Sequence, residues 1–183
     1  MSGEQDKARF RDVVMPHLAD AFTLARWISG NRTDAEDILQ EACLRAYRGI
    51  SGFAGGSPRA WVLTVVRRTA YTWLMKNRSP MLVSIDDLSV AEGVEVELKN
   101  GGSGAKGLTP EAEVIAKADA EQLKSAIAAL PLEFRETLVL RDVQGLDYRE
   151  IADITGAPIG TVMSRLARAR RRLFTAMGTQ QQL

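Results

Sequence analysis

The stretch DYREIADITGAPIGTVMSRLARARRRL, Asp147 to Leu173, decides the fold of the second half of this 183-residue chain. Asp147 is a favourable N-cap for a helix over Tyr148–Thr155, and Gly156 suits the left-handed backbone that ends such a helix. Pro158 favours the start of the next helix. A helix, a tight glycine turn and a second helix are typical of the helix-turn-helix motif.

The second helix of this motif is strongly basic. Five arginines and no acid lie between Gly160 and Leu173. The helix dipole alone does not require arginines over three turns, although a solubilising helix end is the alternative. The pattern favours a DNA-reading helix in the major groove, with Ser164 and Arg165 at base edges and Arg171 and Arg172 at phosphates. We expect an inward stripe of Ile159, Val162, Leu166, Ala169 and Leu173, and an outward side of Thr161, Ser164, Arg165, Arg168 and Arg172.

Charge is segregated along the chain although the formal net charge is only +1. The region from Arg59 to Arg78 contains five basic residues and no acid, whereas Asp86 to Glu113 holds seven acids against Lys99 and Lys106. Two basic blocks separated by an acidic connector indicate a nucleic-acid partner better than the net charge does.

The apolar residues recur at helical spacing on either side of a region that breaks this pattern. That region contains Ser79-Pro80 and the cluster NGGSGAKG before Pro110, which is typical of a flexible connector. We therefore predict an all-α protein of two small helical domains, residues 1–78 and 111–178, joined by a linker, 79–110, and followed by a tail, 179–183.

Two helices are predicted in the first domain. In Asp34–Tyr47, Thr33 and Glu36 form a capping box, and the buried stripe is Ala35, Ile38, Leu39, Ala42 and Ala46. In the second helix, Ser57 caps, Pro58 takes the first position and the helix reaches about Lys76. Its core arc holds Val62, Val65, Val66, Ala70, Trp73 and Leu74.

Several function classes are not supported by the sequence. No apolar run is long enough for a membrane span, and the N-terminus lacks a signal-peptide segment, so we expect a cytoplasmic protein. The single cysteine, Cys43, favours a small buried apolar role, and His17 favours a structural or surface role. We find no phosphate loop, metal cluster or catalytic set, so we predict no enzyme and no cofactor.

The chain resembles the extracytoplasmic-function (ECF) sigma factors, the two-domain class of the sigma-70 family. In the first domain the resemblance rests on DAEDILQEACLRAYR, from Asp34, and SPRAWVLTVVRRTAYTWL, from Ser57. In the second it rests on LPLEFRETLVLRDVQGLDYREIADITG, from Leu130, and PIGTVMSRLARARRRL, from Pro158. These stretches cover most of the chain outside the linker.

The resemblance implies a function in promoter-specific transcription initiation and a surface for each partner. The first domain would correspond to sigma region 2 and dock on the clamp coiled coil of core RNA polymerase through Asp37, Gln40, Glu41 and Leu44. It would bind the −10 promoter element through Arg59, Trp61, Arg67, Arg68, Tyr71 and Thr72. The second domain would correspond to region 4 and bind the −35 element through Thr161, Met163, Ser164, Arg165, Arg168, Arg171 and Arg172. An anti-sigma factor would cover both DNA-binding faces.

The residues themselves favour the −10 assignment, because cations can follow a strand while Trp61 and Tyr71 offer rings for base stacking. For Trp61 a core role is equally compatible with the sequence. Two other functions remain open at this point. One is an independent helix-turn-helix regulator, which usually dimerises, although no dimer-forming heptad is present. The other is a sigma-like mimic that sequesters an anti-sigma factor without binding DNA.

Overall fold

The computed structural model describes residues 3–77 and 110–178, and all regular structure within these two ranges is helical. The all-α prediction is therefore confirmed. Most of the predicted linker and the whole predicted tail lie outside the described residues. The first range contains α1 Gly3–Val13, α2 Leu18–Ser29, α3 Arg32–Gly49 and α4 Pro58–Asn77, with 3₁₀ turns at Met15–His17 and Ile50–Gly52. The second contains α5 Pro110–Ala128, α6 Leu132–Leu138, α7 Tyr148–Thr155 and α8 Ile159–Gly178.

The first domain is built on the mutual packing of α2, α3 and α4. Leu24, Ile38 and Val66 are buried where these helices meet, and burial of such side chains is the main favourable term in folding. The stripe predicted for α3 is confirmed, with Leu39 half-buried at its edge. Helix α1 buries no residue of its own and contacts α3 through an edge-to-face pair of Phe10 and Tyr47, whose ring centroids are 5.6 Å apart.

The predicted start of α3 is wrong by two residues. Gly30 ends α2 in the left-handed region, with a φ of 84°, and Asn31 follows in extended backbone. The Asn31 side chain accepts a hydrogen bond from the Asp34 amide at 2.8 Å and donates one to the Asp34 carboxylate at 2.7 Å. Asn31 is therefore the N-cap, and Thr33 already lies within the helix, which excludes the predicted capping box.

Helix α4 begins as predicted but is buried over a wider arc. Ser57 Oγ accepts from the Ala60 amide at 3.2 Å, and Pro58 is the first helical residue. Leu63 and Thr69, which the sequence analysis left off the core arc, are buried together with Val62, Val66, Ala70 and Leu74. Helix α4 contacts α7 of the second domain as well as α2 and α3, so it is covered on more than one side.

The helix-turn-helix of the second domain is confirmed. The Asp147 side chain accepts from the Glu150 amide, and the Glu150 side chain accepts from the Asp147 amide, both at 2.9 Å. Gly156 ends α7 with a φ of 69°. The chain from Leu132 to Val143 is continuously helical, but its last part, Val139–Val143, is a π-helix, a feature that is common at functional sites.

One residue of the predicted inward stripe of α8 is misplaced. Val162, Leu166 and Ala169 are buried as predicted, and Leu173 packs against the same side. Ile159 is 39% exposed. It lies in the first turn of α8, before the point where Val162 joins Ile151 and Ile154 of α7 in the core.

The two domains pack against each other within the described residues. Helix α4 contacts α7, and α2 contacts α6 and the π-helix. The side chain of Trp27 in α2 is buried in the apolar cluster of the second domain, beside Leu138, Val139 and Leu166. Parts of α2 and α4 are thus covered by the second domain.

Among the helices within 3–77 and 110–178, none is long and apolar enough to cross a membrane.

We expect Asp147→Ala to lower the free energy of unfolding by about 1 kcal/mol, because the capping box at the start of α7 loses its acceptor. Chemical denaturation followed by circular dichroism measures the change. Asp153→Ala, an exposed change on the same helix, is the control and should have a much smaller effect. Equal losses for the two variants would contradict the capping role.

Candidate nucleic-acid interface

The surface of α8 opposite its core is basic and exposed. Ser164, Arg168 and Arg171 are exposed on this side, while Val162, Leu166 and Ala169 anchor the helix from behind. The Ser164 hydroxyl donates to the Thr161 carbonyl at 3.0 Å. The capped turn of α7 and the glycine at 156 fix the direction in which α8 leaves the motif, so this face has a defined orientation.

Two arginines predicted on the outward side lie instead on the flank beside α6. Arg165 is three residues after Val162, which places it only about 60° from the buried stripe. Its side chain is 20% exposed and pairs with Glu133 at 2.8 Å. The Arg172 guanidinium lies 5.2 Å from the ring centre of Phe134, although Arg172 remains exposed.

The other residues predicted for α8 also differ in exposure. Met163 is exposed, and Thr161 is half-buried. On the flank opposite α6, Arg170 makes a bidentate contact with Asp142 of the π-helix, at 2.6 and 3.1 Å. This pairing raises the pKa of Arg170. Arg170, which was not in the predicted contact set, therefore ties the middle of α8 to the π-helix of the same domain.

The six residues predicted on α4 fall into three groups. Arg68 is exposed, and Thr72 beside it is half-buried with its hydroxyl donating to the Arg68 carbonyl at 2.9 Å. Trp61 is half-buried and packs on Phe53, with ring centroids 5.3 Å apart. Arg59, Arg67 and Tyr71 contact the second domain.

The contact of Arg67 and Tyr71 with the second domain is centred on the buried carboxylate of Glu136. Arg67 donates to both carboxylate oxygens at 3.0 Å, and the Tyr71 hydroxyl donates to Glu136 Oε2 at 2.9 Å. The Glu136 side chain is 0% exposed. Burial and the nearby Glu136 charge raise the pKa of Tyr71. Burial alone would lower the pKa of Arg67, but its bonds to Glu136 raise it.

A second cluster joins the domains at the start of α4. Arg59 donates to the Asp20 carboxylate at 2.8 Å and to the Gln144 carbonyl at 2.7 Å. The side-chain amide of Gln144 in turn donates to the backbone carbonyl of Asp20 at 2.7 Å. Arg59 is therefore held by both domains.

Sequence reasoning missed the residues that receive these contacts. Asp20 and Trp27 lie in α2, Glu136 lies in α6, and Gln144 directly follows the π-helix. Arg67 and Glu136 are 69 positions apart in the sequence. Glu136 is flanked by the polar residues Arg135 and Thr137, so the local sequence of α6 contains no signal that this glutamate is buried.

The face predicted to bind polymerase is a continuous strip of α3. Asp37, Gln40 and Leu44 are exposed, and Leu44 presents 53% of its surface. Glu41 accepts from Arg45 at 2.7 Å, and this bond lowers the pKa of Glu41. An apolar side chain within a polar rim suits a protein interface.

Cys43 and His17, for which the sequence favoured structural roles, are both half-buried. Cys43 borders a small apolar cavity with Leu39 and Val66, and burial raises the pKa of its thiol. His17 ends the 3₁₀ turn before α2. In the part of the chain that the structure describes, no group of three or more His, Cys, Asp or Glu residues could hold a metal ion.

Comparison with known proteins assigns this architecture to a class. Residues 13–79 match the family model of sigma-70 region 2, and residues 120–173 match that of sigma-70 region 4. The two helical domains and the basic helix-turn-helix are thus those of the sigma-70 class of transcription proteins.

Individual relatives narrow the class. The chain is 32% identical to the ECF RNA polymerase sigma factor EcfG of Rhodopseudomonas palustris (strain TIE-1), over 89% of this chain and 82% of that protein. It is 34% identical to the ECF RNA polymerase sigma-E factor of Escherichia coli (strain K12), over 75% of this chain and 70% of that protein. The structure is similar to that of the sigma factor RpoE in its co-crystal with the anti-sigma factor NepR from Bartonella quintana, with a TM-score of 0.69. The two sequences are 26% identical, and the match covers 92% of this chain and 96% of that one. The chain belongs to the ECF RNA polymerase sigma factor family.

We expect one of the three tyrosines to ionise later than the others when the pH of the folded protein is raised. The raised pKa of Tyr71 stabilises the folded state below the ordinary tyrosine pKa, and this contribution is lost as the pH rises through the higher value. Ultraviolet absorbance of tyrosinate, followed against pH, measures the step. Tyr71→Phe should remove it, and a late step that persists in this variant would contradict the assignment.

Proposed function

We propose that this sigma factor binds core RNA polymerase through the exposed strip of α3 and directs initiation at promoters that α8 and α4 read. The observation that carries the proposal is the exposed basic face of α8, which stands on a capped helix-turn-helix in a chain of nearly neutral net charge. Its role is that of a specificity subunit without a catalytic site of its own, acting in the cytoplasm.

For the −35 element, we assign base-edge contacts to Ser164 and Arg165 and phosphate contacts to Arg168, Arg171 and Arg172. The N-terminal half of a recognition helix approaches base edges in the major groove, and later turns follow the backbone. The pairing of Arg165 with Glu133 does not preclude this role, because the Glu133 side chain is 62% exposed and solvent screens its charge. Thr161 and Met163 flank the contact.

For the −10 element, we assign strand contacts to Arg59, Arg67, Arg68, Tyr71 and Thr72 of α4. Cationic side chains beside an aromatic ring suit a single strand whose bases are unstacked. Trp61 is assigned to the support of this surface, because it packs on Phe53 within the first domain.

An anti-sigma factor is proposed as a further partner. The similar solved structure is that of a sigma factor bound to the anti-sigma factor NepR, and the similarity extends over 92% of this chain. Such a partner would cover the two faces assigned to promoter DNA. The family membership favours this function over an independent dimeric regulator, and the exposed arginines of α8 favour it over a sequestering mimic.

The test of this function is promoter-specific run-off transcription by core polymerase supplied with the purified chain. We expect specific transcripts, and we expect Leu44→Asp to reduce both transcripts and polymerase binding at least about tenfold, because a charge replaces the apolar centre of the α3 strip. Met15→Asp is the matched control, since Met15 is 50% exposed and Leu44 is 53% exposed. Absence of transcripts and of polymerase binding with the wild-type chain would refute the function.

We expect Arg165→Ala to reduce discrimination at one −35 position by about 1–3 kcal/mol, because a guanidinium contact with one base edge is lost. Binding to a panel of single-substitution duplexes measures this change. Arg172→Ala is the comparison variant. It should weaken binding to all sequences alike and reduce the salt slope by about one. A uniform loss with Arg165→Ala would exclude it from base reading.

A further inference from the structure

The buried Glu136 carboxylate accepts hydrogen bonds from Arg67 and Tyr71, two side chains that the proposed function assigns to promoter DNA. Its two oxygens receive both N–H groups of the Arg67 fork, and Oε2 also receives the Tyr71 hydroxyl. A guanidinium fork binds a phosphate with the same bidentate geometry with which it binds a carboxylate. Glu136 therefore holds Arg67 in the way that a nucleic-acid phosphate would.

A second arginine of α4 is also engaged by the second domain. Arg59, at the start of α4, donates to the Gln144 carbonyl of the second domain. Arg68 and Thr72 lie away from these contacts, and Arg68 is exposed. Thus two of the three arginines assigned to the −10 strand are engaged by the second domain while the domains are packed together.

The apolar part of the same interface is imperfect. Trp27 is 1% exposed within the cluster of the second domain, yet its indole N–H is buried without a hydrogen-bond partner. Gln144 Oε1 is also buried without one. A buried polar group that lacks a partner costs free energy relative to water, and separation of the domains would restore its hydration. Buried apolar surface and the hydrogen bonds of Glu136 thus stabilise the interface, whereas Trp27 Nε1 and Gln144 Oε1 destabilise it.

We propose that the second domain is an intramolecular competitor for the −10 strand, with Glu136 as the phosphate mimic, so that this strand binds only after the domains separate. The inference rests on the proposed function, because it takes Arg59, Arg67 and Tyr71 as promoter contacts. When only a fraction of molecules is competent, the apparent affinity falls by that fraction. Domain packing therefore sets the affinity of the unassisted chain for single strands.

Two variants open the interface by different means. Glu136→Gln keeps the size of the side chain but removes the charge that pairs with Arg67. Trp27→Ala removes apolar contact and changes no charge, so any gain in DNA affinity cannot come from long-range electrostatics. Glu121→Gln is the control for the charge change, since Glu121 is an exposed α5 residue that pairs with Lys124.

The experiment uses the full chain and a fluorescent random-sequence pool of single strands of about 12 nucleotides at low salt. We expect Glu136→Gln and Trp27→Ala to bind the pool about tenfold more tightly than wild type, and Glu121→Gln to bind it like wild type. Small-angle X-ray scattering should show a larger radius of gyration for the two opened variants. Circular dichroism checks that each variant keeps its helices.

Two results would overturn the inference. One is an increase in radius of gyration without an increase in affinity beyond that of Glu121→Gln. The other is an unchanged radius of gyration and an unchanged affinity in both interface variants. Arg68→Ala, which alters an α4 cation outside the domain contact, should weaken binding in wild-type and opened backgrounds alike. Loss of transcripts with core polymerase would instead point to failure of the proposed function itself.

Discussion

The relation between the two domains depends on one desolvated carboxylate. Glu136 is fully buried, and an unpaired charge in that position would be prohibitive. It is accommodated because Arg67 and Tyr71 of the other domain direct three hydrogen bonds at it. Removal of one partner of such a pair costs about 3–5 kcal/mol, since the remaining charge stays buried. The packed arrangement is therefore specific: the domains must meet in the register that brings Arg67 to Glu136.

This constraint accounts for the weak amphipathic pattern of α4. One side of the helix packs on α2 and α3 through Val62, Val66 and Ala70, and the other side meets α7 and α6. A helix covered on two sides cannot show a single apolar stripe. The side that meets the second domain carries Arg67 and Tyr71 because, in our proposal, it serves two alternative partners, a buried carboxylate and a nucleic-acid strand.

The features that sequence predicted well are local. The caps at Asp147 and Gly156 depend on residues within one turn, so the sequence alone predicts them. The start of α3 was predicted wrongly because Thr33 and Asn31 are both good caps, and the choice is set by where α2 ends at Gly30. The contacts of Glu136 and Trp27 could not be predicted, since their partners are distant in sequence and depend on how the two domains dock.

The asymmetry between the two proposed DNA surfaces has a consequence for the order of binding. In the packed arrangement Ser164, Arg168 and Arg171 of α8 are exposed, whereas Arg59 and Arg67 of α4 are engaged by the second domain. In our proposal, a duplex can therefore reach α8 before the domains separate, whereas a single strand replaces Glu136 only when they separate. Once α8 is bound, the strand is presented to α4 at a raised effective concentration, which favours the exchange of carboxylate for phosphate. The strip of α3 that we propose for polymerase is exposed in the packed form, so in our proposal polymerase binds it without domain opening.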